Sequence, residues 1–169
     1  MGSTYILTAE MDDVSFAWLD ELRRRHFPPE RNFLPAHLTL FHRLTPAQVD
    51  RLQFLDLPGA AVVLRFDRVV LLGSGVALHV QSAEIERLRG EIRNAVAGEF
   101  SRQDSQPWRP HVTVQNKASA EMARELKSAL ENGFSERAGA ATGLLLWEYL
   151  GGPWKPVERF AFGSAVNSR

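Results

Sequence analysis

His37-Leu38-Thr39-Leu40 and His111-Val112-Thr113-Val114 are one pattern written twice: His, apolar, Thr, apolar. One copy lies in each half of a chain of 169 residues. A β-strand has a period of two, so His and Thr two positions apart leave one face and the apolar residues leave the other. Each copy therefore presents an imidazole and a hydroxyl on one surface and anchors them with two core residues. A single His-x-Thr in a strand is usually just a strand with a polar face. Two copies at matching places in two halves predict a shared site with two histidines and two threonines.

The flanking sequence reads the same way in each half. In the first, Tyr5–Glu10 is a short strand, and Val14–Arg25 carries Val14, Ala17, Trp18 and Leu22 at helical spacing. Pro28-Pro29 ends that helix, and the motif strand follows. Thr45-Pro46 is a capping hydroxyl followed by proline at the first helical position, which predicts a helix to about Phe54. Ala61–Leu72 then reads as strand. Gly73-Ser74-Gly75 is a turn. In the second half, Val76–Gln81 is a strand, and Ser82 caps a helix carrying Ile85, Leu88, Ile92 and Val96. After the second motif, Ser119 caps a helix, and Leu144–Leu150 and Val157–Phe162 close the chain around Gly151-Gly152-Pro153. The order predicts an α+β fold: two pseudo-symmetric lobes of mainly antiparallel sheet, with outer helices, around a central cleft. No Gly-, Ser- or Pro-rich linker separates the halves. The expectation is a single bilobal domain over 1–169, with a first repeat at about 5–72 and a second at about 76–164.

Composition narrows the function. Twenty basic residues balance twenty acidic ones. That argues against a broad footprint on duplex DNA, which needs many phosphate contacts, but leaves room for one nucleotide or RNA end. No cysteine is present, which removes thiol nucleophiles, disulfides and thiolate metal sites. No apolar stretch approaches the roughly 20 residues that span a bilayer, and Met1–Met11 is not a signal peptide. A cytoplasmic location is expected.

Two histidines and two threonines suit a phosphodiester. A neutral imidazole removes a proton from water or a hydroxyl, while a protonated one donates to the leaving oxygen. Threonine hydroxyls donate to the non-bridging oxygens, where charge accumulates. This chemistry needs no metal or other cofactor, and no HExxH or paired-carboxylate motif is present.

With these two motifs the chain resembles the 2H phosphoesterases, also called the 2′-5′ RNA ligase-like or cyclic phosphodiesterase family. Phe33-Leu34-Pro35-Ala36 and Trp108-Arg109-Pro110 resemble the family's run-in to each motif. The two differ in that Ala36 separates Pro35 from His37, whereas Pro110 abuts His111. The resemblance implies a metal-independent phosphodiesterase acting on 2′,3′-cyclic phosphates or 2′-5′ linkages of RNA ends or small nucleotides. It implies His37 and His111 as acid and base, and Thr39 and Thr113 on the phosphate. The expected partner is an RNA terminus or small cyclic nucleotide, with no membrane and no duplex DNA, and the chain acting as a monomer. The alternative is a non-catalytic module that holds a nucleotide or RNA end.

Six further residues are candidates for substrate binding. Straight alternation along each motif strand puts Phe41 and Arg43 on the face of His37, and Lys117 on the face of His111. Phe41 would stack on a base, and Arg43 and Lys117 would attract phosphate. Arg109 adjoins the second motif, while Tyr149 and Trp154 flank the last turn. On the same alternation, His42 leaves the opposite face from His37 and is structural. His79 is a satisfied sheet residue.

Overall fold

The computed structural model describes residues 2–163. The end of the second repeat, set at about 164, lies outside the described residues. The strands are β1 (Thr4–Met11), β2 (Leu38–Leu44), β3 (Val62–Leu71), β4 (Val76–Gln81), β5 (His111–Gln115), β6 (Arg137–Tyr149) and β7 (Trp154–Ala161). The helices are α1 (Asp13–His26), α2 (Pro46–Leu52), α3 (Ala83–Val96), the short α4 (Arg102–Ser105) and α5 (Ala120–Glu131). Side-chain oxygens of Asp12, Thr45, Ser82 and Ser119 accept from the backbone N–H three residues on, which fixes where α1, α2, α3 and α5 begin. Thr45 and Gln48 form a reciprocal capping box. Helix α2 stops at Leu52, two residues short of the expected end.

All seven strands join one antiparallel sheet in the order β1-β2-β5-β4-β3-β6-β7, with β6 also pairing β1. Six strands thus close into a barrel-like ring. Strand β6 makes the closure possible because it is long. One edge runs along β1 from Thr4↔Tyr149 to Met11↔Ala141. The other pairs β3 through Arg137–Ala141 and then β7 from Gly143 onward. The sequence pattern predicts this strand only from Leu144. Its first part, Arg-Ala-Gly-Ala-Ala, has little apolar bulk, so only pairing with β3 makes it a strand. Gly139 is required there: a Cβ would lie 2.2 Å from Ser15 Oγ, where the start of α1 lands on the sheet.

One face of the sheet builds the core. Leu7, Leu38, Leu40, Val112 and Val114 are fully buried with Leu19 of α1 and Ile85 and Ile92 of α3. Each such side chain contributes roughly 1.5–3 kcal/mol on burial. Helix α1 is turned differently from the expected stripe. Ser15, Leu19 and Arg23 are its buried residues, while Val14 is 71% exposed. The small Ser15 permits the close approach at Gly139. No helix among the described residues is long and apolar enough to cross a membrane.

Candidate active site

Strands β2 and β5 meet through a single register pair, Leu38↔Val112. Extending that antiparallel register one residue each way sets His37 opposite Thr113 and Thr39 opposite His111. All four leave the face opposite the core, and all four are half-buried. They line one cavity of about 380 Å³, together with His42, Asp104, Trp108 and Arg109. The motif residues are thus brought together by the pairing of two strands from opposite halves of the chain.

The two strands share so little ladder that their facing carbonyls need other donors. Side chains supply them. Trp108 Nε1 donates to Thr39 O at 3.1 Å, Arg89 Nε to Leu40 O at 2.8 Å, and Arg23 Nη1 to Thr113 O at 3.0 Å. Arg23 also donates through Nε to Leu34 O and Asn32 Oδ1, each at 2.9 Å. Burial pushes the Arg23 guanidinium down to about 10, with Asp20 acting in the opposite direction. These arginines stand on the buried faces of α1 and α3. Arg89 had a sequence signal, a charge on the apolar stripe of Ile85, Ile92 and Val96, whereas Arg23 had none, because its face of α1 carries only Leu19 as an apolar residue.

Each catalytic candidate is oriented in the same way. His37 Nδ1 lies 2.8 Å from Pro35 O, and His111 Nδ1 lies 2.6 Å from Arg109 O. A carbonyl only accepts, so Nδ1 carries the proton in both rings and Nε2 of the neutral ring keeps its lone pair. The inserted Ala36 does not disturb this bond. It is buried, and its N–H donates to Asp20 Oδ1 at 2.9 Å. Burial pushes the His37 imidazole down to about 4, helped by the positive charges of Arg23, His42 and His111 and opposed by the Pro35 carbonyl. His37 is therefore neutral across the physiological range.

Immediately after each threonine the strand bulges. The register of β2 against β1 slips between Thr39 and Phe41, and that of β5 against β4 slips between Thr113 and Gln115. Leu40 and Phe41 are both buried, as are Val114 and Gln115. A bulge adds one residue to one strand and flips the alternation beyond it. Strand β2 slips against β1 a second time between Phe41 and Leu44, which turns Arg43 outward again. The structure thereby corrects several expectations. Phe41 is in the core, its ring 5.6 Å from that of Phe100 and under the Arg89 guanidinium. It cannot stack on a base. Arg43 is exposed but does not line the cavity, and its backbone N–H donates to Asp104 Oδ2. Lys117 falls beyond β5, exposed, with φ of 61°. Tyr149 is 44% exposed at the end of β6 and does not line the cavity either.

His42, by contrast, is carried onto the cavity face by the same bulge. Its Nδ1 and backbone N–H both approach Asp104, at 3.1 and 2.9 Å from Oδ1. Asp104 is buried. Desolvation raises its pKa, but the hydrogen bonds from His42 and Arg43 outweigh it and hold the carboxyl below the usual range. Sequence reasoning missed Asp104, whose partners lie more than sixty residues away in the chain.

Across the sheet each histidine has a different neighbour. His79 on β4 pairs directly with His111, and its Nδ1 is 2.6 Å from Asp67 Oδ1. On the other side, Ala9↔Leu38 extends to place Glu10 opposite His37. Trp154 lies over His37, with ring centroids 4.9 Å apart.

The model of the 2′-5′ RNA ligase superfamily matches residues 11–153. Solved structures share the fold. A Thermus thermophilus protein, TT0787, has a TM-score of 0.66 at 17% identity, covering 95% of this chain and 98% of that one. Escherichia coli LigT complexed with 3′-AMP has a TM-score of 0.62 at 18% identity, covering 96% and 99%. LigT complexed with NADP+ has 0.60 at 16%, again covering 96% and 99%. No curated protein matches the chain by sequence. With the family model spanning most of its length and the fold shared from end to end, the chain belongs to the 2′-5′ RNA ligase superfamily, the 2H phosphoesterases.

Proposed function

We propose that this protein is a metal-independent phosphodiesterase acting on 2′,3′-cyclic phosphates or 2′-5′ linkages of RNA ends or small nucleotides. The observation that carries this reading is the shared cavity. Both His-x-Thr pairs line it, and each imidazole has Nδ1 committed to a backbone carbonyl. The nucleotide complexes of LigT, with 3′-AMP, ATP and NADP+, support a substrate of that class.

In hydrolysis His37, held neutral by burial, takes a proton from water through Nε2 as the water oxygen bonds to phosphorus. His111, entering as the imidazolium, donates its Nε2 proton to the ribose oxygen as the P–O bond breaks. Thr39 and Thr113 hydroxyls donate to the non-bridging oxygens, and Arg109 adds positive charge at the cavity wall. Ligation puts the 5′-hydroxyl of a second RNA end in place of water: His37 takes its proton as its oxygen bonds to the phosphorus of the cyclic phosphate, and His111 protonates the ribose oxygen released. Cleavage of a 2′-5′ linkage to the cyclic phosphate runs that step backward, with the two imidazoles exchanging roles. Each positioned proton transfer is worth about 10²–10⁴-fold in rate. We read the chain as one domain of two related repeats. The matching bulges and matching Nδ1 bonds support that division.

The test is a panel of 2′,3′-cyclic, 3′,5′-cyclic and 2′-5′-linked substrates assayed in EDTA, with the products identified. Turnover of the first or third class, retained in chelator, is expected. A cyclic nucleotide that binds and stays intact would replace the enzyme by a binding module.

A further inference from the structure

A second cavity, of about 290 Å³, shares His37 as a wall with the first. Its character is different. Met11, Phe16, Leu34, Leu145, Trp147 and Trp154 make its sides apolar. The Trp154 ring is tilted 56° to His37 and 57° to Trp147, with the two tryptophan centroids 6.0 Å apart. Trp147 is held in place by its Nε1–H, which donates to the hydroxyl of the buried Thr8 at 3.0 Å. The polar groups at this cavity are mainly carboxylates, Glu10 and Asp13. Glu10 is gripped by Arg159, with Nε 2.9 Å from each carboxylate oxygen, and accepts from Thr142 Oγ1 at 3.0 Å. The Arg159 bond, together with that from Thr142 and against some desolvation, lowers its pKa and keeps it ionised.

Nothing in the proposed chemistry uses these groups. A fixed pair of indoles suits a flat ring. The ionised Glu10 disfavours a second phosphate, and a carboxylate accepts hydrogen bonds from ring N–H groups. We propose that this cavity is a subsite for an uncharged aromatic ring of the substrate, a nucleobase, attached to the phosphate held between His37 and His111. The assignment rests on the phosphodiesterase reading for its phosphate, but not for its ring. It also orients the substrate. The neighbour of His111 is the His79–Asp67 pair. Among the described residues Trp108 alone, its Nε1–H given to Thr39 O, stands in that cavity as a large aromatic, so the base lies on the His37 side, where two indoles meet. A stacked base is commonly worth about tenfold or more in affinity.

The subsite is tested directly by calorimetric titration with adenosine, which carries no phosphate. Saturable binding is expected, weakened about tenfold or more by Trp154→Ala, with orotidine, whose base carries a carboxylate, not bound. Phe16→Ala at the mouth repeats the test if circular dichroism shows that Trp154→Ala has lost its fold. No adenosine binding to the wild type, equal affinity in the folded variant, or tight orotidine binding overturns the proposal. Turnover adds a second readout: 2′,3′-cyclic AMP against ribose 2′,3′-cyclic phosphate without a base. The preference for the nucleotide should fall about tenfold in Trp154→Ala. An unchanged preference means that Trp154 serves only His37, and the subsite is lost. If the wild type turns over neither compound, the phosphodiesterase reading fails, while the adenosine titration still decides the subsite.

Discussion

His37 and His111 are anchored alike, each by Nδ1 on the carbonyl two residues earlier, but their surroundings differ. His37 is walled by Trp154 and neighboured by Glu10, and partial burial between two cavities holds it neutral. His111 stands beside His79 and its Asp67 partner, with Arg109 at the cavity wall. The strands beyond them differ too. After the first bulge His42 is tied to the buried Asp104, whereas after the second the exposed Asn116 Oδ1 accepts from Lys117 N at 2.9 Å and from Ser74 Oγ at 3.4 Å. Repetition sets up two equivalent proton-transfer positions. The departures from repetition make their surroundings unequal, which is why the proposed mechanism gives the base to His37, whose burial holds it neutral.

The largest effect is expected from removing either imidazole. His37→Ala and His111→Ala should each lower kcat by about 10²–10⁴-fold while the thermal transition stays cooperative. A loss in only one variant would reduce the comparison to a single catalytic histidine. Phe41→Ala should cost about 3–5 kcal/mol in denaturant unfolding, because its ring fills the core behind the first bulge. A loss of substrate affinity with no loss of stability would put that ring back in the site.

Asp104→Ala leaves the N–H groups of His42 and Arg43 without their acceptor and should cost about 2–3 kcal/mol. Asn116→Ala, in the corresponding place, should cost about 1 kcal/mol or less. Equal costs would remove the asymmetry beyond the bulges. The pH dependence sharpens the roles. A base of ordinary value near 6.5 would lose roughly 30-fold by pH 5. His37, held at about 4, should keep the acid limb of kcat/KM below pH 5. The sign for stability follows: the unfolded chain binds a proton at His37 between pH 6.5 and 4 that the folded chain refuses. Wild-type stability should therefore fall across that window more steeply than that of His37→Ala, as read by thermal unfolding at each pH. An acid limb near 6.5 would remove His37 from the role of base. Least of all, Arg43→Ala and Lys117→Ala should leave KM within about twofold, since neither side chain lines the cavity.

Much of this protein was written locally. The His-x-Thr pattern determined which four side chains share a face, because strand alternation is a property of the backbone alone. Capping hydroxyls at Thr45, Ser82 and Ser119 determined where helices begin, because the acceptor lies three residues from its donor. What alternation could not carry was anything past Thr39 and Thr113. The bulges there arise from register against β1 and β4; the first reverses the roles read for Phe41 and His42, and a further slip before Leu44 leaves Arg43 facing solvent. Arg137–Ala141 became strand only because β3 lies beside it. Asp104 joined the site because α4 folds back onto β2. Burial at His37, which holds that ring neutral, comes from elements scattered along the chain. Desolvation depends on everything packed around a group, and only the tertiary structure assembles those neighbours.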